Sequence, residues 1–585
     1  MNGTEDDLAF DVVVVGAGSA GAVVAARLSE DPSCRVCLLE AGGPPPPEEL
    51  VPGLAAATQL NPETDWMYTA DPGRAGLGLI GRRAPAPRGR MLGGTSGMNY
   101  MAYVRGHPGD FDAWAAGGAT GWSYADVLPY FRKSEGLDLA SLPDGLMLDA
   151  EAHNTAGPMG VAVRAPLLTA ATEFVEAAVA AGFTRGDHNG RDRGGPAGVV
   201  SLAQLSTRAG RRSSTYHAFL EGEAERRPNL AVITGAQATR ILLDGGRAVG
   251  VEHVGPGGTG VVRAGREVVV CAGAIGSPHL LMLSGIGPRA ELEAAGVACL
   301  LDSPHVGRHL KDHLLLPLFF PAPGVGVPVR EIERARTPEA LAEWAATGRG
   351  LLASTLADAV AFFSTGLGSP HTHDAQIGIF PCGFGAEFWR TRLRIEPAEY
   401  LRDPAARLAP DAENLVVLPN LARPRSEGEI VLRSADPLVH PEIRMNYYAD
   451  SHDLATMVAI ARRALDVVAC WPVAHEIGPL QVPPSLAARH GHAEGAEPSD
   501  ALLEDLALHY SLTVYHQCST CRIGDVVDPR LRVLGVDGLR VADASVMPDI
   551  VSGNTNAAAI MIGEKAAELV AADQGIKLAE FVGRA

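Results

Sequence analysis

The stretch that decides the fold lies near the start of the chain and reads Asp11-Val-Val-Val-Val-Gly16-Ala-Gly18-Ser19-Ala-Gly21. Its four successive valines predict a strand that is buried on both faces. Three glycines follow with G-x-G-x-x-G spacing, Ala22–Leu28 indicates a helix of small residues, and Arg35–Leu39 indicates a second strand that ends at Glu40. Strand, glycine turn, helix, strand and acid in this order predict a dinucleotide-binding βαβ unit.

The chemistry of a dinucleotide explains each of these residues. Gly16 permits the tight turn, Gly18 lets the backbone approach a pyrophosphate, and Gly21 lets the helix pack closely on the strand. The N–H groups at the start of the helix can bind phosphates. Glu40 can accept hydrogen bonds from a ribose diol and would repel the 2′-phosphate of NADP. The unit alone does not distinguish NAD from FAD.

Length and composition limit the remaining possibilities. With 585 residues, of which 46% are hydrophobic, the chain can bury a large core and is expected to form two or more lobes. The formal charge of −19, without a basic block to offset it, argues against nucleic acid and anionic membranes as partners. The start of the chain lacks a basic signal region, and the apolar run Val12–Ala26 is too short for a membrane span. We therefore expect a cytoplasmic protein.

Cysteine and histidine motifs raise the question of a metal site. Two C-x-x-C pairs, Cys34/Cys37 and Cys518/Cys521, make a four-thiolate zinc site conceivable. However, Cys34 and Cys37 frame a strand whose alternate side chains point to opposite faces, so we predict free cysteines in the core and no metal. Two histidine motifs in polar loops lack a convergent third ligand; they are His371-Thr-His373-Asp374 and His490-Gly-His492.

The rest of the chain alternates short strands and helices. A second glycine loop, Gly89–Asn99, carries hydroxyl and amide groups. Near the C-terminus, Leu539–Asp543 reads as a strand, and Gly553–Asn556 offers N-cap residues for a predicted amphipathic helix, Ala557–Ala571. The other predicted elements are the strands Met159–Val163, Leu230–Thr234, Ala248–His253, Val261–Cys271 and Glu429–Leu432 and the helices Ser277–Leu283, Pro338–Gly348 and Ser451–Val468.

These segments together resemble the glucose–methanol–choline family of FAD-dependent oxidoreductases over residues 10–570. The motifs that carry the resemblance are Gly89-Arg-Met-Leu-Gly-Gly-Thr-Ser-Gly-Met-Asn99 with Tyr103-Val-Arg-Gly106, Gly273-Ala-Ile-Gly-Ser-Pro278 through Ser284-Gly-Ile-Gly287, Val306-Gly-Arg-His-Leu-Lys-Asp-His313, Tyr515-His516 with Cys521-Arg522, Val541–Pro548 and Gly553-Asn-Thr-Asn556.

The resemblance implies an α/β fold in which a Rossmann-like FAD-binding domain is interleaved in sequence with an α+β substrate domain that carries an antiparallel sheet. The implied FAD-binding segments are residues 1–155, 211–315 and 506–585, the last with the catalytic part. The implied substrate-binding segments are residues 156–210 and 316–505. Met98 stands where covalently flavinylated members have a histidine, so FAD is expected to be noncovalent.

The resemblance also implies the site residues. His516 and Asn556 are the implied catalytic pair. The implied cofactor-binding residues are Gly16, Gly18, Ser19, Gly21, Glu40, Arg90, Gly93, Gly94, Thr95, Asn99, Ala238, Asp543, Asn554 and Thr555. The sequence departs from the family at His516-Gln517, where His-Pro is usual, at Ser519-Thr520, where Gly-Thr is usual, and at Ala558, where proline is usual.

The implied reaction is oxidation of a small alcohol to an aldehyde or ketone. A hydride passes to flavin N5, and the hydroxyl proton needs an acceptor of near-neutral pKa, for which His516 is the choice. Asn556 would orient the substrate oxygen. The alternatives are a lyase or photodecarboxylase on the same fold and a noncatalytic electron carrier. The electron acceptor, oxygen or another, and the alcohol stay open; Asp358 could face a cationic substrate such as choline.

Overall fold

A computed structural model describes residues 8–143, 146–164 and 166–579. The predicted βαβ unit is present at its centre. The strand Leu8–Val15 lies between Val36–Leu39 and Gly258–Val270 and runs parallel to both. The helix Gly21–Leu28 connects the first two strands. Val12 to Val15 are buried, as their unbroken apolar character predicts for a strand covered on both faces.

This strand belongs to a seven-stranded sheet built from three separate segments of the chain. Its first strand pairs are parallel, and a hairpin adds two antiparallel strands at the edge. In spatial order the strands are Leu230–Ile233, Val36–Leu39, Leu8–Val15, Gly258–Val270, Arg247–Gly255 and Gln237–Asp244, with Leu539–Val541 parallel to Gly258–Val270.

The intervening segments form an eight-stranded sheet that is antiparallel except for its last pair. Its order is Leu512–Thr513, Leu314–Leu315, Asn414–Leu421, Ala375–Phe380, Ala359–Phe363, Val199–Leu202 and Thr184–Arg185, with Leu318–Pro321 also paired to Asn414–Leu421. The interleaved α/β fold is thereby confirmed. The domain boundaries stay a prediction. The short strands Leu314–Leu315 and Leu512–Thr513, which lie next to the predicted boundaries at residues 315 and 505, belong to this sheet.

Four smaller sheets are present in the described part of the chain. The largest contains Glu429–Val431, Glu442–Tyr447, Thr69–Gly73 and Ala84–Pro85, and the next contains Glu135–Leu137, Met159–Val163 and Gln204–Leu205. The two-stranded ones pair Thr207–Arg208 with Arg211–Arg212 and Ile286–Gly287 with Leu301–Asp302. The helices of six or more residues are Gly21–Leu28, Pro108–Ala116, Tyr124–Ser134, Thr169–Ala180, Gly273–Leu283, Arg289–Ala294, Val329–Arg334, Pro338–Thr347, Ser451–Ala469, Pro484–His490, Asp500–Tyr510 and Asn556–Gln574.

The C-terminal helix differs from its prediction. It was expected to be amphipathic, but Asn556–Gln574 is buried continuously from Ala557 to Ala567. Glu564 accepts two hydrogen bonds from the guanidinium of Arg27 at 2.9 and 2.7 Å. The ammonium of Lys565 lies 5.1 Å from the ring centroid of Trp122. The charged residues are thus partnered inside the protein rather than solvated.

No helix in the described part of the chain combines the length and apolar character that a membrane span needs.

Candidate active site

A cavity of about 500 Å³ lies between the two large sheets. Val15 and Leu39 line it from the carboxyl ends of two parallel strands, and Val360 and Gly378 line it from the eight-stranded sheet. The carboxyl ends of parallel strands are where open α/β sheets bind nucleotide ligands. The cavity therefore joins a nucleotide-type site to the second sheet.

The two glycine loops contact each other at the edge of this cavity. A Cβ atom on Gly94, whose φ is 52°, would lie 2.6 Å from the Cα of Gly18. A Cβ atom on Gly16 would lie 2.5 Å from the carbonyl oxygen of Cys271. The N–H of Gly93 donates to the carbonyl of Ala17 at 2.8 Å. Side chains at these positions would displace backbone, so the predicted glycines shape a cradle where main-chain atoms approach closely.

Most of the predicted site residues line the cavity. They are Gly16, Gly18, Ser19, Glu40, Gly94, Thr95, Asn99, Ala238, His516, Asp543, Asn554, Thr555 and Asn556. Gly21 and Gly93 lie behind the lining; Gly21 packs against the carbonyl of Gly16, and Gly93 packs against Tyr216.

Arg90 does not line the cavity, in contrast to its predicted position. Its guanidinium lies over the ring of Trp66, 5.3 Å from the centroid. Arg88 lines the cavity instead, and burial lowers the pKa of its guanidinium. The sequence did not distinguish two arginines that lie two positions apart, because which one faces inward depends on the local turn.

Two buried carboxylates line the cofactor side of the cavity. Glu40 accepts hydrogen bonds from the N–H groups of Ala17 and Gly42, both at 2.8 Å, and burial raises its pKa to about 7. Asp543 accepts from the N–H of Gly273 at 2.9 Å and from the hydroxyl of Ser277 at 2.5 Å, and burial raises its pKa as well. Asp543 thus anchors the start of the helix Gly273–Leu283. Its part in a flavin site stays a prediction.

His516 is the centre of a hydrogen-bonded chain at the cavity wall. Its Nδ1 lies 2.8 Å from Nδ1 of His313, and Nε2 of His313 lies 2.9 Å from the carbonyl oxygen of Ala422. On the other side, Nε2 of His516 lies 3.2 Å from Nδ2 of Asn554. Burial, with the charges of His313 and Arg88, lowers the pKa of His516 well below its ordinary value, so the ring is neutral at neutral pH.

These contacts determine the tautomers of both rings. A carbonyl can only accept, so His313 carries its hydrogen on Nε2. Burial lowers the pKa of His313 to about 3, so its Nδ1 holds a lone pair and accepts from Nδ1–H of His516. Neutral His516 therefore carries its lone pair on Nε2, the nitrogen beside Asn554. The structure thus leaves Nε2 able to accept a proton.

Asn554, and not Asn556, lies beside His516, which corrects the predicted catalytic pair. The side-chain oxygen of Asn556 accepts a hydrogen bond from the hydroxyl of Ser19 at 2.7 Å. Residues two apart at a helix start point to different sides, and the helix begins at Asn556. The predicted side-chain N-cap is also absent, because Thr555 caps the helix without a side-chain hydrogen bond.

Asp312 holds the loop that carries His516, and the sequence did not assign it a role. Its carboxylate accepts from the backbone N–H of His516 at 2.8 Å, from the Thr513 hydroxyl at 2.6 Å and from the Gln517 amide at 2.7 Å. Tyr515 adopts a φ of 65° immediately before His516. Asp312 and His313 belong to the motif Val306–His313, which is the sequence feature that could have indicated their role. Gln517, where proline is usual, here supplies a hydrogen bond to that carboxylate.

Asp358 does not face the cavity, so it is not placed to bind a cationic substrate. It is 2% exposed and pairs with Nη1 of Arg164 at 3.3 Å, while the hydroxyl of Ser354 also donates to it. Among the described residues that line the cavity, the only carboxylates are Glu40 and Asp543.

The metal motifs do not converge in the part of the chain that is described. All eight cysteines are free thiols. Neither His371/His373/Asp374 nor His490/His492 forms a three-residue cluster there; the cluster that the described residues do contain is His305, His309 and Asp525 at the surface. This cluster does not belong to the cavity described above. Nδ1 of His309 lies 2.6 Å from a carboxylate oxygen of Glu427 on the outside of the protein.

Comparison with known proteins identifies the family of this chain. Two family models, both described as GMC oxidoreductase, match residues 10–315 and 424–563. The chain belongs to the GMC oxidoreductase family. Members of this family are oxidoreductases that bind FAD.

Three similar proteins illustrate the family range. An uncharacterized GMC-type oxidoreductase of Mycobacterium bovis is 38% identical, covering 96% of this chain and 99% of that protein. An oxygen-dependent choline dehydrogenase of Sinorhizobium medicae is 36% identical and covers 96% of each. The crystal structure of pyridoxine 4-oxidase from Mesorbium loti superposes with a TM-score of 0.77 at 30% identity, covering 96% of this chain and 98% of that one.

The residues present fit FAD. The glycine cradle leaves main-chain atoms open to the cavity, where a pyrophosphate needs close approach. The Oδ1 atom of Asn554 is buried without a hydrogen-bond partner among the described residues, although it lies at the start of the helix Asn556–Gln574. First-turn N–H groups of a helix have no intrahelical partner, and the positive end of this helix faces the cavity.

Proposed function

We propose that this GMC oxidoreductase oxidises the CH–OH group of a small alcohol without a positive charge to an aldehyde or ketone, with His516 as the general base. The observation that carries the proposal is the hydrogen-bonded chain from Ala422 through His313 to His516 at the wall of the FAD-type cavity, from which we infer a lone pair on Nε2 of His516. In this proposal the FAD-binding segments are residues 1–155, 211–315 and 506–585, and the substrate segments are residues 156–210 and 316–505.

When bound, FAD supplies the acceptor for the hydride that leaves the carbinol carbon. Nε2 of His516 takes the hydroxyl proton, since the ring is unprotonated at neutral pH; burial lowers its pKa below the near-neutral value that the sequence predicts for this base. Nδ2 of Asn554 donates to the substrate oxygen as negative charge develops there. His313 and Asp312 hold the imidazole ring and its loop, so the base is oriented before the substrate arrives.

The cofactor side is assigned to the glycine cradle and its neighbours. We propose that Gly16, Gly18, Ser19, Gly94 and Thr95 contact the pyrophosphate, with Glu40 and Ala238 on the adenosine side. FAD is held noncovalently in this proposal, because the buried thioether of Met98 lines the cavity where covalent attachment would need a histidine. Acid precipitation should therefore release all flavin into the supernatant.

The charges around the cavity argue against a cationic substrate, and Arg88, Arg336 and Arg392 also line it. The two lining carboxylates belong to the cofactor side, and Asp358 is neutralised by Arg164. A quaternary ammonium group would find no carboxylate on the described part of the substrate side, so a choline-like substrate is disfavoured despite the 36% identical choline dehydrogenase. A lyase reaction is not favoured either, because the named relatives are oxidoreductases.

Anaerobic addition of alcohols tests the proposal. A suitable alcohol should bleach the oxidised flavin spectrum of the wild-type holoenzyme, while His516→Ala should retain FAD and lose about 10²–10⁴-fold in the rate of bleaching. Readmission of oxygen, or addition of an artificial acceptor, then tells oxidase from dehydrogenase. Full-rate bleaching of the His516→Ala flavin would contradict the assigned base.

A further inference from the structure

The eight-stranded sheet presents one face to the cavity, and a polar pair stands out on it. The strands Ala375–Phe380 and Asn414–Leu421 pair Gln376 with Asn420, Gly378 with Leu418, and Phe380 with Val416. All six residues line the cavity. Four of them are apolar or lack a side chain, so the two amides are the exception that needs an explanation.

The two amides are joined by one hydrogen bond and leave polar atoms without partners. Nδ2 of Asn420 donates to Oε1 of Gln376 at 3.3 Å. Asn420 and Gln376 are 5% and 9% exposed. Oδ1 of Asn420 is buried without a partner in the described structure, a loss that folded proteins rarely tolerate without reason. Nε2 of Gln376 donates to no described residue, and Gln376 lines the cavity.

The position of the amide pair relative to His516 indicates how long a substrate must be to reach both. In sheet order Leu512, Leu315 and Asn420 are cross-strand neighbours, and the strand of Leu512 leads directly into the loop of His516. Neighbouring strands are about 4.8 Å apart, so Asn420, two strands from Leu512, lies roughly 10 Å from the strand that leads to the base, and Gln376, three strands away, lies roughly 14 Å from it. A Cβ atom on Gly378 would meet nothing within 4 Å, so there is open space beside the pair.

We propose that Gln376 is a substrate-binding residue, with Asn420 as its positioning residue, for the remote end of the alcohol. The substrate class is then a mainly apolar alcohol without a positive charge, with a second hydrogen-bond acceptor about 14 Å from its carbinol carbon. The apolar part lies over Gly378, between Val360 and Leu418, and the remote oxygen or nitrogen accepts from Nε2 of Gln376. This inference rests on the proposed oxidation of alcohols at His516.

Two alcohols that differ only in the remote acceptor test the proposed role of Gln376 on the holoenzyme. Undecane-1,11-diol carries a remote acceptor at about the required span, and undecan-1-ol has the same chain without one. The wild type should show a kcat/KM about tenfold higher for the diol, which corresponds to one hydrogen bond. Gln376→Leu should abolish this preference through KM for the diol, with kcat for undecan-1-ol retained. Gln481→Leu, a buried glutamine outside the cavity lining, is the control and should keep the preference.

A second variant covers the case in which Gln376→Leu does not fold. Gly378→Val places a side chain in the open space beside the amide pair and should raise KM for both eleven-carbon alcohols while a two-carbon alcohol is unaffected. Equal kcat/KM for the two eleven-carbon alcohols in the wild type, or a preserved preference in Gln376→Leu, would overturn the subsite and leave the alcohol oxidation standing. Flavin that no alcohol bleaches would overturn both.

Discussion

The two large sheets border the same cavity but constrain their residues in different ways. Around the seven-stranded sheet, backbone meets backbone: a Cβ atom on Gly94 would collide with Gly18. On the eight-stranded sheet, side chains at alternate positions face an open space, and a Cβ atom on Gly378 would meet nothing within 4 Å. On the cofactor side, close backbone contacts therefore restrict which residue can stand at each of several fixed spacings. On the substrate side, only the shape and polarity of the side chains are restricted.

The same substitution in the two regions gives the largest expected contrast. Gly94→Ala should lose FAD, because its left-handed φ of 52° and the contact with Gly18 both oppose a side chain. We expect at least a tenfold fall in FAD retained after purification, measured by absorbance, with a matching loss of turnover. Gly378→Ala is the control and should retain full FAD. Equal flavin content in the two variants would remove the distinction between the regions.

The next contrast separates two asparagines at the junction of the regions. Asn554→Ala removes the donor beside His516 and should lower kcat about 100-fold with FAD retained, the usual effect of losing one such donor. Asn556→Ala removes the bond to the Ser19 hydroxyl and should mainly weaken FAD binding. Steady-state kinetics at saturating FAD decide between them. If the Asn556 variant were the one with the lower kcat, the corrected pairing would be wrong.

A pH measurement tests the neutral histidine chain. An unfolded histidine binds a proton below pH 6.5, whereas folded His313 stays neutral to about pH 3. The unfolded state therefore binds more protons in this window, and stability falls as the pH is lowered, by about 2 kcal/mol for this group between pH 6.5 and 5. Thermal unfolding of the wild type and His313→Asn measures it, and the variant should show a flatter acid slope.

His313→Leu provides the comparison for catalysis. Asparagine can still accept from Nδ1–H of His516, so His313→Asn should keep most turnover, whereas leucine cannot accept and should lower kcat about tenfold. The acid limb of the pH–rate profile should change only in the leucine variant. An unchanged profile and kcat in His313→Leu would show that the ring orientation of His516 does not depend on this bond.

The sequence predicted the parts of the molecule that depend on local spacing. Gly16, Gly18, Gly94 and the strands of the βαβ unit were predicted because backbone approach permits few residue types. The pairing of His516 with Asn554 was missed, because rotation about a helix start decides it. Asp312 and His313 were quoted within a motif without a role, since their contacts span about two hundred residues of sequence, from position 312 to 516. The amide pair on the substrate sheet has no local signal at all, because long-range strand register creates it.

The smallest effect on catalysis is expected at Asp358, the residue that the sequence suggested for a cationic substrate. Because its carboxylate is buried against Arg164 outside the cavity lining, Asp358→Asn should leave the ratio of kcat/KM for choline and an uncharged alcohol unchanged. It should lower the free energy of unfolding by about 3 kcal/mol, since a buried guanidinium loses its partner.

Replacing both partners, with Arg164→Met and Asp358→Leu together, should recover most of that stability, because an apolar pair leaves no unpaired charge in the core. Chemical denaturation of the three proteins measures this. A selective loss of choline turnover in Asp358→Asn would instead return this carboxylate to the substrate site, and the assignment of the lining carboxylates to the cofactor side alone would fail.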